Sequence, residues 1–260
     1  MNQRLLIFII CLLNLGPLIK NNIISYIPFE IYEEFSVVFY LTSFMYFILK
    51  KILNKFSNSF KTINPEHKKM YVVKNYIKSF FLACLCFGIH HFFDLLNGSL
   101  DLMYIKRCGV YYVMNDIIGL LIVKKLPTTT KIHHITTSLC GLAIIMKKTN
   151  NIDILTLIVL YAVFSSMSFC VNFYLGLRVY SNNTKLKQFF SISSFWVYLI
   201  SCLVSWTFQI CLAYSVIPTV PLWHTIIYLA FLFSVTRDDI ILMKWLYNDN
   251  MQFIKVLKDE

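Results

Sequence analysis

Residues 105–146 read IKRCGVYYVMNDIIGLLIVKKLPTTTKIHHITTSLCGLAIIM. Two apolar runs, 108–123 and 132–146, flank a short polar stretch holding Lys124, Lys125, Pro127, three threonines and Lys131. A helix needs about 20 residues to cross the hydrocarbon core of a bilayer, and shorter runs suffice when flanking lysines reach back to the interface. The pair therefore reads as a helical hairpin in lipid. It also carries ionisable side chains within apolar sequence: Asp116 in the middle of the first run, His133 and His134 at the start of the second. Such groups are expensive at membrane depth and are the first candidates for function.

Outward from this hairpin the pattern repeats. Further apolar runs occupy 5–19, 35–49, 79–96, 154–177, 189–214 and 215–235. The expected fold class is all-α, a polytopic transmembrane helix bundle of seven to eight spans, with 5–19 deciding between the two numbers. That first run follows Arg4 like a signal peptide, but Pro17 after Gly16 blocks cleavage, so it reads as a retained anchor. Composition agrees. The 260 residues are 58% hydrophobic and only 14% charged, with mean hydropathy +0.64, whereas a soluble domain carries about 25% charged residues. Seven Gly and six Pro exclude a collagen-like or low-complexity chain.

The net charge of +11 would suggest nucleic acid in a soluble domain. Here the lysines sit between apolar runs, where they orient the chain in the bilayer. The segment 50–78 carries eight of them, from Lys50 to Lys78, and reads as a cytosolic loop too short to fold alone. Alternating spans then place 18 basic residues on the cytosolic side and 5 opposite, with both termini cytosolic. The chain divides into 1–69 (one or two N-terminal spans and the basic loop), 70–245 (the helical domain) and a cytosolic tail, 246–260. Eight cysteines lie in or beside the apolar runs without a CxxC pair, as buried thiols do. No metal, cofactor or nucleic-acid partner is expected.

Four further ionisable groups fall in apolar runs: His90, His91, Asp94 and His224. His90 and Asp94 are four apart, on one face of a helix, one residue short of the His-to-Asp spacing of glycerolipid acyltransferases. Six histidines are too few for a di-iron desaturase, and no GxSxG, HExxH, P-loop or Rossmann pattern occurs. His133 and His134 point about 100° apart on a helix, so at least one faces the protein interior. There they serve either as a proton acceptor or head-group contact near the cytosolic face, or as structural hydrogen bonds between helices. Asp116 needs a partner, naturally an imidazole from another helix. Measured along the sequence, Asp116 lies roughly 10 Å deeper than His134, so direct contact would require tilt, an inserted loop or a bridging water. A shared cavity is expected nonetheless. On this reading Asp116→Asn and His134→Ala each impair the site's function and leave abundance normal, because neither creates a buried charge.

The order Gly109, Tyr111, Tyr112, Asp116, His133, His134 resembles the centre of a TLC domain, in which a mid-helix Asp precedes a helix opened by His-His. The stretch LYAVFSSMSFCVNFYLGLR resembles a later helix of the small TLC-domain proteins, with Ser165, Ser166, Phe169, Val171, Asn172 and Arg178 in corresponding places. The likeness covers roughly 70–245. It implies a membrane protein, most naturally of the endoplasmic reticulum with the plasma membrane as the alternative, acting in lipid homeostasis by binding, sensing or trafficking a membrane lipid. Tyr112, Asp116, His133, His134, Ser165, Ser166, Asn172 and Arg178 would contact that lipid. The family also includes ceramide synthases, which join an acyl group from acyl-CoA to a sphingoid base. If this chain were such an enzyme, His133 or His134 would be the base and Asp116 its orienting partner. Two departures weigh against it. No acidic residue stands between Asp153 and Asp238, and the Glu usual before Ser-Ser is replaced by Val163 or Phe164.

Overall fold

A computed structural model describes residues 15–21, 27–146 and 153–259, with side chains through 253. Most of the first apolar run, 5–14, and Lys147 and Lys148 lie outside the described residues. The rest is helical, with no strand among the described residues. In chain order the elements are α1 (Phe29–Phe56), the short α2 (Asn58–Lys61), α3 (Glu66–Cys86), a 3₁₀ turn (Phe87–His91) leading to α4 (Phe92–Leu96), α5 (Leu102–Ile122) and α6 (Thr128–Ile145). They continue with α7 (Ile154–Ser165), a 3₁₀ turn (Ser166–Ser168), α8 (Phe169–Tyr180), α9 (Thr184–Val216), a 3₁₀ turn (Ile217–Thr219) and α10 (Leu222–Asp259).

Local chemistry sets most starts. Asp101 caps α5 by accepting from the Met103 and Tyr104 amides, and Asp153 forms a capping box with Thr156 at α7. Asn183 accepts from Leu186 N at 2.9 Å to open α9, and prolines 28, 65 and 127 stand at the N-caps of α1, α3 and α6. The 3₁₀ break between α7 and α8 falls where Ser166 and Ser168 turn their hydroxyls back onto the carbonyls of Val163 (2.6 Å) and Ser165 (2.7 Å). Such back-bonding bends a helix.

Cross-helix contacts fix the directions. Glu34–Arg107 (3.0 Å) and Tyr46–Asn115 (2.7 Å) make α1 and α5 parallel. Tyr76–Tyr180 (2.8 Å) and Cys86–Ser166 (3.3 Å) make α3 antiparallel to the α7–α8 unit. The carbonyls of Cys170, Phe164 and Leu157 accept from Ser194, Ser201 and Gln209, so α9 runs back along that unit. Tyr228–Gln209 and Tyr198–Asp239 then set α10 antiparallel to α9. The described rods thus run up and down in strict alternation. Segments 54–69, 123–131 and 178–187, with the end of α10, gather at one end, where the chain is most basic. Four rods are long and apolar enough to cross a membrane: Phe29–Phe56, Glu66–Leu96, Ile154–Tyr180 and Thr184–Thr219. Large apolar side chains such as Phe44, Phe47, Trp196 and Phe233 face outward, while Asn115, Asp116 and Gln209 are buried. That inversion suits a lipid surround.

Three expectations need correction. The segment 50–78 is not a loop: α1 runs on to Phe56 and α3 begins at Glu66, so Lys74 (3% exposed) and Lys78 (7%) sit inside the bundle. The run 215–235 breaks at a Pro218–Pro221 turn and restarts as a helix that continues to Asp259. Beyond 245 that helix still packs, with Leu246 and Asn250 buried, and Tyr174 and Ser191 donate to Asp249.

Candidate functional site

The site grows from the α5–α6 hairpin. Asp116 lies six residues before the end of α5 and His134 six residues after the start of α6, so the two sit at equal depth. The expected offset came from starting the second helix at Ile132; Pro127 starts it at Thr128 instead. Gly141 lets the helices meet closely, since a Cβ there would fall 2.0 Å from Val113 Cγ1.

Asp116 is fully buried and multiply engaged. Its Oδ1 accepts from Lys78 Nζ at 2.6 Å and lies 3.0 Å from His134 Nδ1. The His134 ring is close enough for an ionic contact but is not aligned for a linear hydrogen bond, and its Nε2 is buried with no partner among the described residues. Oδ2 lies 3.0 Å from Thr137 Oγ1, whose single proton has the His133 carbonyl at 3.0 Å as a competing acceptor. His133 turns the other way. Its Nδ1 stands 3.2 Å from Asp238 Oδ2, a carboxylate that α10 brings in. Both histidines therefore face the interior, each beside its own acid.

On one side of this cluster is a polar cavity of about 360 Å³ near the basic end. Lys74, Lys78, His133, His134, Arg178 and Asp238 are among its walls. On the other side lies a narrow apolar slot of about 80 Å³ between α5, α6 and α7, walled by residues such as Val113, Ile144, Ile158 and Phe231. Tyr161 borders both spaces. The partition is completed by Tyr112, whose hydroxyl donates to Ser165 Oγ at 2.8 Å, with Tyr112 on the slot and Ser165 on the polar cavity.

The residues expected from sequence divide accordingly. Asp116, His133 and His134 form the centre; Ser165, Asn172 and Arg178 line the polar cavity; Tyr112 and Ser166 lie on the slot. Asn172 is held by the Ser168 carbonyl at 3.1 Å, and Arg178 stacks 4.1 Å over the Trp245 ring. His90 and Asp94 do not pair. The 3₁₀ turn at Phe87–His91 winds more tightly than an α-helix, so His91 meets Asp94 instead, at 3.0 Å, at the opposite end of the bundle from Asp116, where His91 also borders the apolar slot. His224, stacked on Trp223 at the start of α10, also belongs to that far end.

Lys74, Lys78 and Asp238 were missed by the sequence reading. Lys74 and Lys78 stand one helical turn apart in YVVKNYIKSFF, and their apolar neighbours were the available signal. Asp238 lies in an apolar helix, FSVTRDDIILM, and carried the same kind of signal.

Asp116, His133 and His134 offer one ligand atom each within 4.8 Å, a spacing a metal ion could bridge. The donor set fits poorly, because the Lys78 ammonium already occupies Asp116 Oδ1 and Lys74 adds a second positive charge one turn away. A dication placed among them would be repelled. No family model, curated protein or solved structure matches the chain.

Proposed function

We propose that the chain is a TLC-type membrane protein of seven or eight spans that binds one single-chain lipid as part of membrane lipid homeostasis. The observation carrying this reading is the polar cavity and the apolar slot meeting back to back at Tyr161 and the Tyr112–Ser165 bond. An amphiphile matches that pair of spaces once the Tyr112–Ser165 bond opens to join them, with its head beside His133 and His134 and its chain entering between α5, α6 and α7. The slot, about 80 Å³, is smaller than a long acyl chain, so a single chain would have to part the helices to enter and a second would find no room. With Lys74, Lys78 and Arg178 set aside as cavity residues, the charge count is still 15 to 5 and supports a cytosolic head-group end, and residence in the endoplasmic reticulum goes with the TLC resemblance.

Lipid mass spectrometry of the protein purified from membranes tests this. One tightly held lipid is expected, and Ala162→Phe, which places a ring in the slot, should release it. Purified protein free of any stoichiometric lipid would refute the reading.

A second reading is supported by one feature, the Asp116–His134 contact with His134 Nε2 left free. That is how a base and its orienting acid are arranged. It would make the chain an acyl-CoA-dependent N-acyltransferase of ceramide-synthase type. Acyl transfer from acyl-CoA to a sphingoid base, abolished by His134→Ala, is its requirement; no turnover above background excludes it.

A further inference from the structure

Lys74 is 3% exposed, lines the polar cavity, and makes no ion pair or hydrogen bond among the described residues. Its stem lies against Gly119, where a Cβ would come within 3.2 Å of Lys74 Cε. The bundle thus makes room for this side chain by omitting another. Its neighbour Lys78 is already committed to Asp116.

Arg178, half-buried on the neighbouring helix α8, also lacks an ion pair among the described residues. It lines the cavity, and its Nε is buried without a hydrogen-bond partner. Trp245 supports its guanidinium from one face at 4.1 Å, which fixes the plane and leaves the edge nitrogens to bind. The antiparallel contact of Tyr76 with Gly176 sets Lys74 and Arg178 at matching heights on α3 and α8.

The nearby acids have other partners and none pairs with Lys74 or Arg178, although Asp238 stands on the cavity wall itself. Asp116 holds Lys78, Asp238 faces His133, Asp239 accepts from Tyr198 and Tyr161, and Asp249 accepts from Tyr174 and Ser191. Lys74, buried on α3, and Arg178, half-buried on α8, line one cavity with no ion pair of their own among the described residues, and an anion between them would offset the cost of holding them there. A carboxylate would neutralise one. A phosphate monoester, with a charge of about −1.5 to −2 at neutral pH and three acceptor oxygens, matches both.

We infer that the polar cavity holds a phosphate monoester head group between Lys74 and Arg178, so that the bound lipid is a single-chain lipid phosphate. This rests on the lipid-binding reading above and specifies its head group. Thr129, Thr130 and Ser165 in the same walls supply neutral hydroxyls to the remaining oxygens.

The test uses the full chain in neutral phosphatidylcholine nanodiscs, read by native mass spectrometry and by thermal shift. The probes are oleoyl lysophosphatidate, monooleoylglycerol, sodium oleate and inorganic phosphate. Lysophosphatidate should bind roughly 100-fold more tightly than monooleoylglycerol, since each charge-assisted contact contributes about tenfold or more. Millimolar inorganic phosphate should not displace it. Lys74→Met and Arg178→Gln should each remove most of that preference. Lys74→Met should also melt no lower than the ligand-free wild type, because it replaces an unpaired buried cation with an apolar side chain, and this separates lost binding from lost folding.

Equal affinity for lysophosphatidate and monooleoylglycerol would overturn the phosphate assignment and leave the lipid reading standing. Oleate binding as tightly as lysophosphatidate would overturn the charge matching. Displacement by micromolar inorganic phosphate would overturn the lipid source in favour of a soluble phosphate. Binding of none of the lipids would overturn both this inference and the reading it rests on.

Discussion

Asp116→Asn is the most informative single change, because the structure reverses what the sequence suggests for it. From sequence alone the substitution creates no buried charge and abundance stays normal. In the bundle, however, Asp116 Oδ1 is the partner of Lys78 Nζ at 2.6 Å, and the two side chains are 0% and 9% exposed. Removing the carboxylate leaves an ammonium in the interior with Lys74 one turn away and no ion-pair partner, since Asp238, the other carboxylate on the cavity, faces His133. Breaking a buried pair from one side costs about 3–5 kcal/mol, whereas replacing both members by neutral groups of similar size is close to neutral or stabilising. At roughly 2–4 °C per kcal/mol for a chain of this size, Asp116→Asn should melt about 6–20 °C below wild type in nanodiscs, followed by tryptophan fluorescence. The double variant Lys78→Met with Asp116→Asn should recover most of that loss. His134→Ala should fall less, since Asp116 keeps Lys78 and Thr137, which makes it the cleaner probe of lipid handling. If Asp116→Asn melted within ~2 °C of wild type, or if the double variant melted as low as the single, the pair would not be the buried charge contact described here.

Gly141→Ala should separate α5 from α6 and cost about 1–3 kcal/mol through overpacking, and Val113→Ala in the same chain should restore the thermal midpoint by removing the atom met at 2.0 Å. A protease-cleavable tag inserted within 57–64, beside α2, should be cut from the cytosolic face of sealed microsomes, as should one at the C-terminus; protection of both would invert the topology. Asn97-Gly98-Ser99 is a glycosylation sequon in an exposed turn, with Gly98 at φ 66°. It abuts the membrane, so gel mobility should show it unmodified, while a sequon carried outward on a long spacer between Leu100 and Asp101 should gain a glycan; its failure to do so would place this turn in the cytosol.

What the sequence revealed and what it hid follow from the same physics. Apolar runs mark helices in lipid because every backbone polar group there must be satisfied within the segment, so all-helical architecture was legible. So was the approach of α5 and α6, since a short connection leaves antiparallel neighbours. Helix starts were less legible. Polar residues such as Thr128, Thr129 and Thr130 belong to α6 although they interrupt the apolar run, and that four-residue error produced the false depth offset between Asp116 and His134. Lysines were the hardest to read. Lys50, Lys51 and Lys55 ride the end of α1 at half-buried or exposed positions, while Lys74 and Lys78, in the same basic stretch, turn inward. Counting charges treats them alike. Only their position on α3, facing α5, separates an orientation signal from a site residue.

Asp238 bears on the choice between binding and catalysis. The absence of an acid between Asp153 and Asp238 weighed against a ceramide-synthase-type site, on the premise that a second acid must come from the helix following His-His. The fold supplies one from the end of the chain instead, with α10 antiparallel to α9 and Asp238 Oδ2 3.2 Å from His133 Nδ1. Each histidine then has its own carboxylate, although Asp116 is shared with Lys78 and Asp238 is not. A base is strengthened by an acid that answers to it alone and weakened when a lysine competes for the same oxygen. His133 has the less contested partner and no hydrogen bond on Nε2 among the described residues, whereas the unpartnered Nε2 of His134 is fully buried. A catalytic base would therefore be sought at His133 before His134. Lys74 and Arg178 line the same cavity without an ion pair among the described residues, and the head-group proposal rests on that pair rather than on either ring.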